Sequence, residues 1–247
     1  MPLRERAQGH SLTGALQTNE SIYSNPAGTT FSQVYSLEGT YAFPRSFSAS
    51  VVDTQTNSLG GGLGYFKERE MGSLDYRHGF RLTLGSRLSE NWGFGVAGKA
   101  LWANNQGKET SLKDLDSGFL WNGTFASAGI VFRNLGGGNG ELQQEREVSV
   151  GGRMNYSNTL FFSASAHSKW GSFSPYEVGF GAEYVSPWYF SLMGGYRFQR
   201  DRIKNNPSFW SAGVSFLSPR LSLHYAAEFP QLAGEETKHL LGTNLAF

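Results

Sequence analysis

The sequence has no cysteine, which excludes a disulfide framework, thiolate catalysis and any cysteine metal site. It also lacks any run near the roughly 18 uninterrupted apolar residues that a membrane-spanning helix needs, so a helical membrane protein is excluded. Charge of one sign is missing too. The 21 Lys and Arg against 20 Asp and Glu leave a net charge of +1, which gives no reason to expect nucleic acid or an acidic partner. The first residues, Met1-Pro-Leu-Arg-Glu-Arg6, lack the apolar stretch of a signal peptide. Such a start fits a cytoplasmic protein or a mature, trimmed form, and the remaining sequence has to decide between them.

What the chain does have is glycine and aromatics: 32 Gly with 6 Trp, 11 Tyr and 19 Phe in 247 residues. With 39% hydrophobic residues, disorder is excluded. The length suits one or two soluble domains, or a single large barrel or sandwich.

Residues 1–34 are polar without a sustained period, whereas from Tyr35 to Phe247 apolar and polar residues alternate. Between Tyr176 and Tyr184, one parity holds Tyr176, Val178, Phe180, Ala182 and Tyr184, and the other Glu177, Gly179, Gly181 and Glu183. A strand sends successive side chains to opposite faces, so one face is apolar and the other small or charged. The same holds for Phe80, Leu82 and Leu84 against Arg81, Thr83 and Gly85, and for Leu221, Leu223 and Tyr225 against Ser222, His224 and Ala226. A helical period fits none of these segments. The pattern predicts strands at 35–43, 46–54, 58–68, 75–88, 92–104, 116–122, 124–134, 146–156, 159–169, 175–186, 188–199, 208–218, 220–229 and 238–247. Tight turns such as Tyr156-Ser-Asn-Thr159 and Leu217-Ser-Pro-Arg220 alternate with longer polar loops, among them 67–74, 104–115, 134–145 and 200–207. The short connection Phe43-Pro-Arg-Ser46 breaks that rule.

A soluble sandwich or lipocalin-like barrel also alternates, but its polar side meets water. Here that side is rich in glycine: Gly62, Gly64, Gly85, Gly93, Gly95, Gly129, Gly151, Gly179, Gly181, Gly195 and Gly213 all lie opposite large apolar residues. Aromatics near strand ends, short turns at one end and long loops at the other match outer-membrane barrels. Closure is needed in such a setting, because an open strand edge in lipid leaves backbone groups unsatisfied. The expected fold is therefore all-β: a transmembrane antiparallel β-barrel of about 14 strands over residues 35–247. The amphipathic last strand ends on Phe247, and looks like the signal read by outer-membrane barrel assembly machinery.

Ser21-Ile-Tyr-Ser-Asn25-Pro26-Ala27-Gly28 resembles the segment before the barrel in the long-chain fatty acid transporter (FadL) family, which includes smaller PorV-like proteins. Residues 116–136, ending Asn134-Leu-Gly136, and the Gly181-Ala-Glu-Tyr184 hairpin of residues 176–198 are similar to further stretches of that family. The resemblance implies a fourteen-stranded barrel in the bacterial outer membrane, with the signal peptide removed. It also implies that residues 1–34 form a hatch in the lumen, with Asn25, Pro26, Ala27 and Gly28 at its base. The chain departs from the fatty-acid transporters in its shortness and compact outer loops, which puts ligand capture by large loops in doubt.

On the inward parity lie Arg81, Arg87, Lys99, Arg133, Arg153, Lys169 and Arg197, and the acids Glu38, Glu177, Glu183 and Glu228. Bases dominate strands 4 to 9 while these acids sit on strands 1, 10 and 13, as roughly opposing walls. One reading is a charged lining on a solute path. The other, which carries more weight, is a network pairing wall charges with each other and with Arg4, Glu5, Arg6 and Glu20 of the hatch. His167 and His224 point inward without metal-ligand spacing, and read as polar lumen residues. Gly60-Gly61-Gly62 and Gly64 are not a phosphate loop; in a strand they mark a bend or a close approach. They are candidates either for a lateral opening, as in the fatty-acid transporters, or for a small-residue shelf under the hatch.

These readings predict passive transport of small hydrophobic molecules, with no cofactor, no metal and no enzymatic step. The alternative is a non-transporting barrel that anchors or docks secretion, motility or envelope machinery. Expected partners are outer-membrane lipid, a hydrophobic small molecule in the lumen and proteins at the loops.

Overall fold

Alternating residues form strands throughout the described chain, and every strand lies antiparallel to its neighbours in sequence in the computed structural model. The structure describes residues 3–15, 19–31, 35–43, 46–55, 59–69, 76–105, 108–137, 144–172, 174–200, 207–231 and 236–247. Parts of the expected hatch and of the outer loops lie outside these residues, as does Phe173. The strands are β1 (Tyr35–Ala42), β2 (Ser46–Asp53), β3 (Leu59–Arg69), β4 (Tyr76–Arg87), β5 (Trp92–Asn105), β6 (Lys108–Asn122) and β7 (Ala126–Arg133). They continue with β8 (Glu147–Tyr156), β9 (Leu160–Lys169), β10 (Pro175–Val185), β11 (Phe190–Gln199), β12 (Ser208–Leu217), β13 (Leu221–Pro230) and β14 (Lys238–Ala246). An even number of up-and-down strands lets the last run antiparallel to the first. β14 pairs with β1 from Ser36↔Ala246 to Ala42↔Leu240 and closes the barrel.

Closure turns the two parities into an outside and an inside. On β4, Leu82 and Leu84 are 54% and 47% exposed, while their neighbours Arg81 and Thr83 are 8% and 0% exposed. Large exposed hydrophobics recur around the wall, from Leu63 and Phe80 through Phe180 and Leu192 to Tyr225 and Leu241. Such a surface belongs in hydrocarbon, not in water.

The turns at one end are short. Ser157 and Asn158 join β8 to β9 with φ of 56° and 58°, the left-handed pair that suits a two-residue hairpin and that Asn tolerates. The chain's C-terminus lies at this end, where the Phe247 N–H donates to the Tyr35 carbonyl at 2.8 Å.

One sequence expectation is corrected. Residues 104, 105 and 108–115 do not belong to a long loop. They continue β5 and β6 as a tall hairpin, paired from Trp92↔Trp121 to Asn105↔Lys108. β7 covers β6 only from Ser117 to Asn122, so the hairpin rises past its neighbour on that side. Above the hydrocarbon both faces of a strand meet water, and the apolar-polar alternation that marks a strand in lipid fades.

Inside the barrel lie a short helix, α1 (Leu3–Ala7), and two 3₁₀ turns, Asn19–Ile22 and Pro26–Thr30. Most of the described residues before Phe31 are buried.

Candidate functional site

The wall glycines receive the N-terminal segment. A methyl group at Gly179 would stand 2.1 Å from the carbonyl oxygen of Gly9, and one at Gly95 would stand 2.4 Å from the carbonyl carbon of Pro26. Backbone thus packs on backbone, at a spacing only glycine permits. Gly62 and Gly64 take the side chains of Ile22 and Tyr23 in the same way.

Asn25 anchors the segment. Its amide donates to the carbonyls of Thr13 (2.9 Å) and Phe119 (3.1 Å), and its Oδ1 accepts the Ala27 N–H (3.1 Å), capping the turn that begins at Pro26. Pro26 suits the first position of that turn because its missing N–H needs no partner there. Gly28 packs against the Ser21 side chain, where a methyl would lie 2.6 Å from its Oγ. The Arg133 guanidinium donates to the carbonyls of Tyr23 (3.0 Å) and Ser24 (2.8 Å), and Arg87 donates to that of Thr30 (2.9 Å).

Several other inward charges form ion pairs. Glu183, fully buried, sits between Arg4 of α1 and Arg153 of β8, the latter at 2.9 Å. Glu228 lies 3.2 Å from Arg197 and 3.8 Å from Arg6. Glu177 meets His10 at 3.2 Å and Arg197 at 3.6 Å. The nearby carboxylate of Glu183 raises the pKa of Arg4. Lys169 is 58% exposed and pairs with Glu145 at the outer rim.

Two inward acids escaped the sequence reading. Asp116 accepts from Arg81, from Lys99 at 3.0 Å and from the Asn134 N–H at 2.8 Å. Asp114 accepts the N–H groups of Leu115 (2.7 Å) and Gly136 (2.8 Å). These inward acids stand among the bases of β4 to β7, so the expected opposing walls of unlike sign are corrected to a mixture on one wall. A signal was present: Leu112, Asp114, Asp116, Gly118 and Leu120 share one parity, against Ser111, Lys113, Leu115, Ser117 and Phe119.

The inner wall also carries apolar side chains. Met193, Ala226 and Leu240 form a cluster with Leu3 and Ala7 of α1. Phe209 lies beneath the Arg197 guanidinium at 4.2 Å, and Leu101 and Leu112 are buried on the tall hairpin. The histidines bond serines: His167 Nδ1 meets Ser149 Oγ at 2.7 Å, and His224 Nδ1 meets Ser215 Oγ at 2.7 Å. Among the described residues, no group of three or more His, Asp or Glu is placed to hold a metal ion.

At the glycine-rich part of β3, the ladder to β2 runs without a shift from Phe47↔Lys67 to Asp53↔Gly61. The ladder to β4 runs from Leu59↔Ser86 to Arg69↔Tyr76. The wall is closed there, with Gly60 and Gly62 facing inward under Thr29 and Ile22.

No family model and no curated protein sequence matches this chain. Solved structures do. The CymD monoaromatic hydrocarbon channel superposes with a TM-score of 0.72 at 11% identity, covering 98% of this chain and 95% of its own. The Ralstonia pickettii toluene transporter TbuX gives 0.73 at 12% identity, covering 100% and 97%. A Pseudomonas aeruginosa FadL homologue gives 0.69 at 11% identity, covering 100% and 98%. At such identities the likeness speaks for the fold, and it spans both chains nearly end to end: this chain is folded as a FadL-like transmembrane β-barrel.

Proposed function

We propose that this chain is a passive channel for small hydrophobic molecules in the bacterial outer membrane. The observation that carries the reading is the fold, shared over nearly the full length with a monoaromatic hydrocarbon channel and a toluene transporter. Transport down a gradient needs no cofactor and no energy source. In this reading residues 1–34 are a hatch, with Asn25, Pro26, Ala27 and Gly28 as its fixed base and α1 packed over the apolar cluster. Lipid around the wall is the expected surrounding.

The test is uptake of labelled toluene by a host without hydrocarbon channels of its own. Cells carrying the chain should take up label faster than cells carrying the empty vector; equal rates count against a channel.

A sideways exit at Gly60, Gly61, Gly62 and Gly64 belongs to the same proposal. It requires β2 and β3 to part between Val51↔Leu63 and Asp53↔Gly61. Gly61 faces outward, and a methyl there meets nothing closer than 3.9 Å, so Gly61→Leu fits the closed wall. Slower toluene uptake by that variant is expected, and unchanged uptake removes the lateral exit.

A further inference from the structure

We infer that the outer face of β3 to β6 binds a phosphorylated, acylated lipid of the outer leaflet, with Lys67 and Lys113 holding its phosphates. The inference rests on the outer-membrane placement proposed above and not on the solute. Lys67 shares the outward parity of Leu63 on β3, and Lys113 that of Leu115 on β6. Both lysines are exposed, close to the end of the barrel opposite the short turns. Lys99 and Lys169, by contrast, turn inward and pair with Asp116 and Glu145. Neither Lys67 nor Lys113 has a carboxylate partner among the described residues. Glu109, the outward acid of β6, accepts from the Tyr76 hydroxyl at 3.3 Å.

Between the two lysines the wall is aromatic. Ring centroids lie 4.9 Å apart for Tyr65 and Phe80, 6.2 Å for Phe80 and Trp102, and 5.5 Å for Trp102 and His78. The Lys67 amine stands 5.5 Å over the Tyr76 ring at the edge of this cluster. Aromatic rings on a barrel wall sit at headgroup level, where a lysine can lay its stem on apolar surface and offer its amine to a phosphate. Beneath the cluster the wall is recessed. β5 presents only Ala100 and Gly98 there, between Phe80 and Leu82 of β4 on one side and Leu115 of β6 on the other. A methyl added to Gly98 would meet nothing within 4 Å. The occupant that fits is anionic at the top and apolar below. Free phosphate would answer the lysines and leave the recess unfilled. A phosphorylated lipid answers both, with phosphate oxygens accepting from the amines and acyl chains lying along the recess.

The test is native mass spectrometry of the barrel purified in non-ionic detergent, with diphosphoryl lipid A added and heat-dependent gel migration reporting a folded barrel. Wild type should bind this lipid, keep it in excess inorganic phosphate, and bind the dephosphorylated form with the same chains several-fold more weakly. Lys67→Gln together with Lys113→Gln should weaken binding by about tenfold or more, from the loss of two cations at headgroup level. The corresponding pair of Lys→Arg changes should retain it. Lys169→Gln, at an exposed lysine outside the site, should leave binding unchanged. Gly98→Leu fills the recess with both lysines in place and should weaken binding several-fold, which keeps the test open if the double variant fails to fold. Failure of wild type to bind diphosphoryl lipid A overturns the inference. So do equal binding of the dephosphorylated form, displacement by inorganic phosphate, and unchanged binding in the folded Lys67→Gln, Lys113→Gln variant. A barrel that binds no lipid A yet takes up toluene loses this site and keeps the channel reading; one that binds lipid A without toluene uptake does the reverse.

Discussion

Gly95 and Gly98 lie on the same strand, yet they meet different surroundings. Gly95 faces the lumen against the backbone of Pro26, whereas Gly98 faces outward with nothing within 4 Å of an added methyl. Gly95→Ala should therefore unseat the turn at Pro26–Thr30 and speed protease cleavage of the N-terminal segment in detergent. Gly98→Ala should leave that rate at the wild-type level. A second residue-scale effect concerns Glu20, which accepts the Arg4 N–H and leaves its Oε2 without a partner among the described residues. Burial, and after it the Glu38 carboxylate, raises its pKa well above the ordinary carboxyl value, against the pull of Arg4. A carboxyl raised in the folded state favours the seated segment when protonated. That contribution is complete below the unfolded value of about 4.3 and is lost as pH rises through the raised folded value. Cleavage of the segment should then be slower in mildly acidic than in alkaline buffer, and Glu20→Gln should flatten this pH dependence.

At the scale of elements, strand identity was legible wherever a strand crosses hydrocarbon. β10 and β11 show it: Val178, Phe180, Leu192 and Phe198 could face only one way. The upper half of β6 was not legible, because Lys108-Glu-Thr-Ser111 is polar on both faces and reads as loop. Pairing with β5 is what makes it strand. An epitope inserted between Asn105 and Lys108 should be reached by antibody on intact cells, while one between Ser157 and Asn158 should be reached only after lysis. The reverse labelling pattern would show the barrel inserted the other way up. The glycine-rich stretch of β3 was legible as a place of close approach. Only the tertiary structure showed that Ile22 and Tyr23 are what approach Gly62 and Gly64.

For the whole molecule, the decisive energies lie on the outer wall. Leu82 is 54% exposed on the outer face of β4. Leu82→Arg should cost about 2–4 kcal/mol near the bilayer midplane, less toward an interface, read from urea titration of folding into lipid vesicles. A substitution with no measurable effect would mean that this face does not meet hydrocarbon. The closed ladder between β1 and β14 leaves no strand edge to lipid, which is why the amphipathic strands need closure to be stable in that setting.

The sequence by itself determined that the chain alternates, how many times it crosses and which flank of each ribbon is apolar, because these depend only on residue spacing and the period of a strand. It also exposed the wall glycines as positions with a special task, since glycine is unusual opposite large apolar residues, whereas Asn25 stood out only through the family resemblance of its segment. Which cation meets which carboxylate was decided by the tertiary structure alone. Arg4 and Glu183 are 179 positions apart, and Lys99 and Asp116 are 17 apart. Contacts between residues far apart in the chain follow from strand register and from the path of the N-terminal segment across the lumen, and no local pattern encodes either.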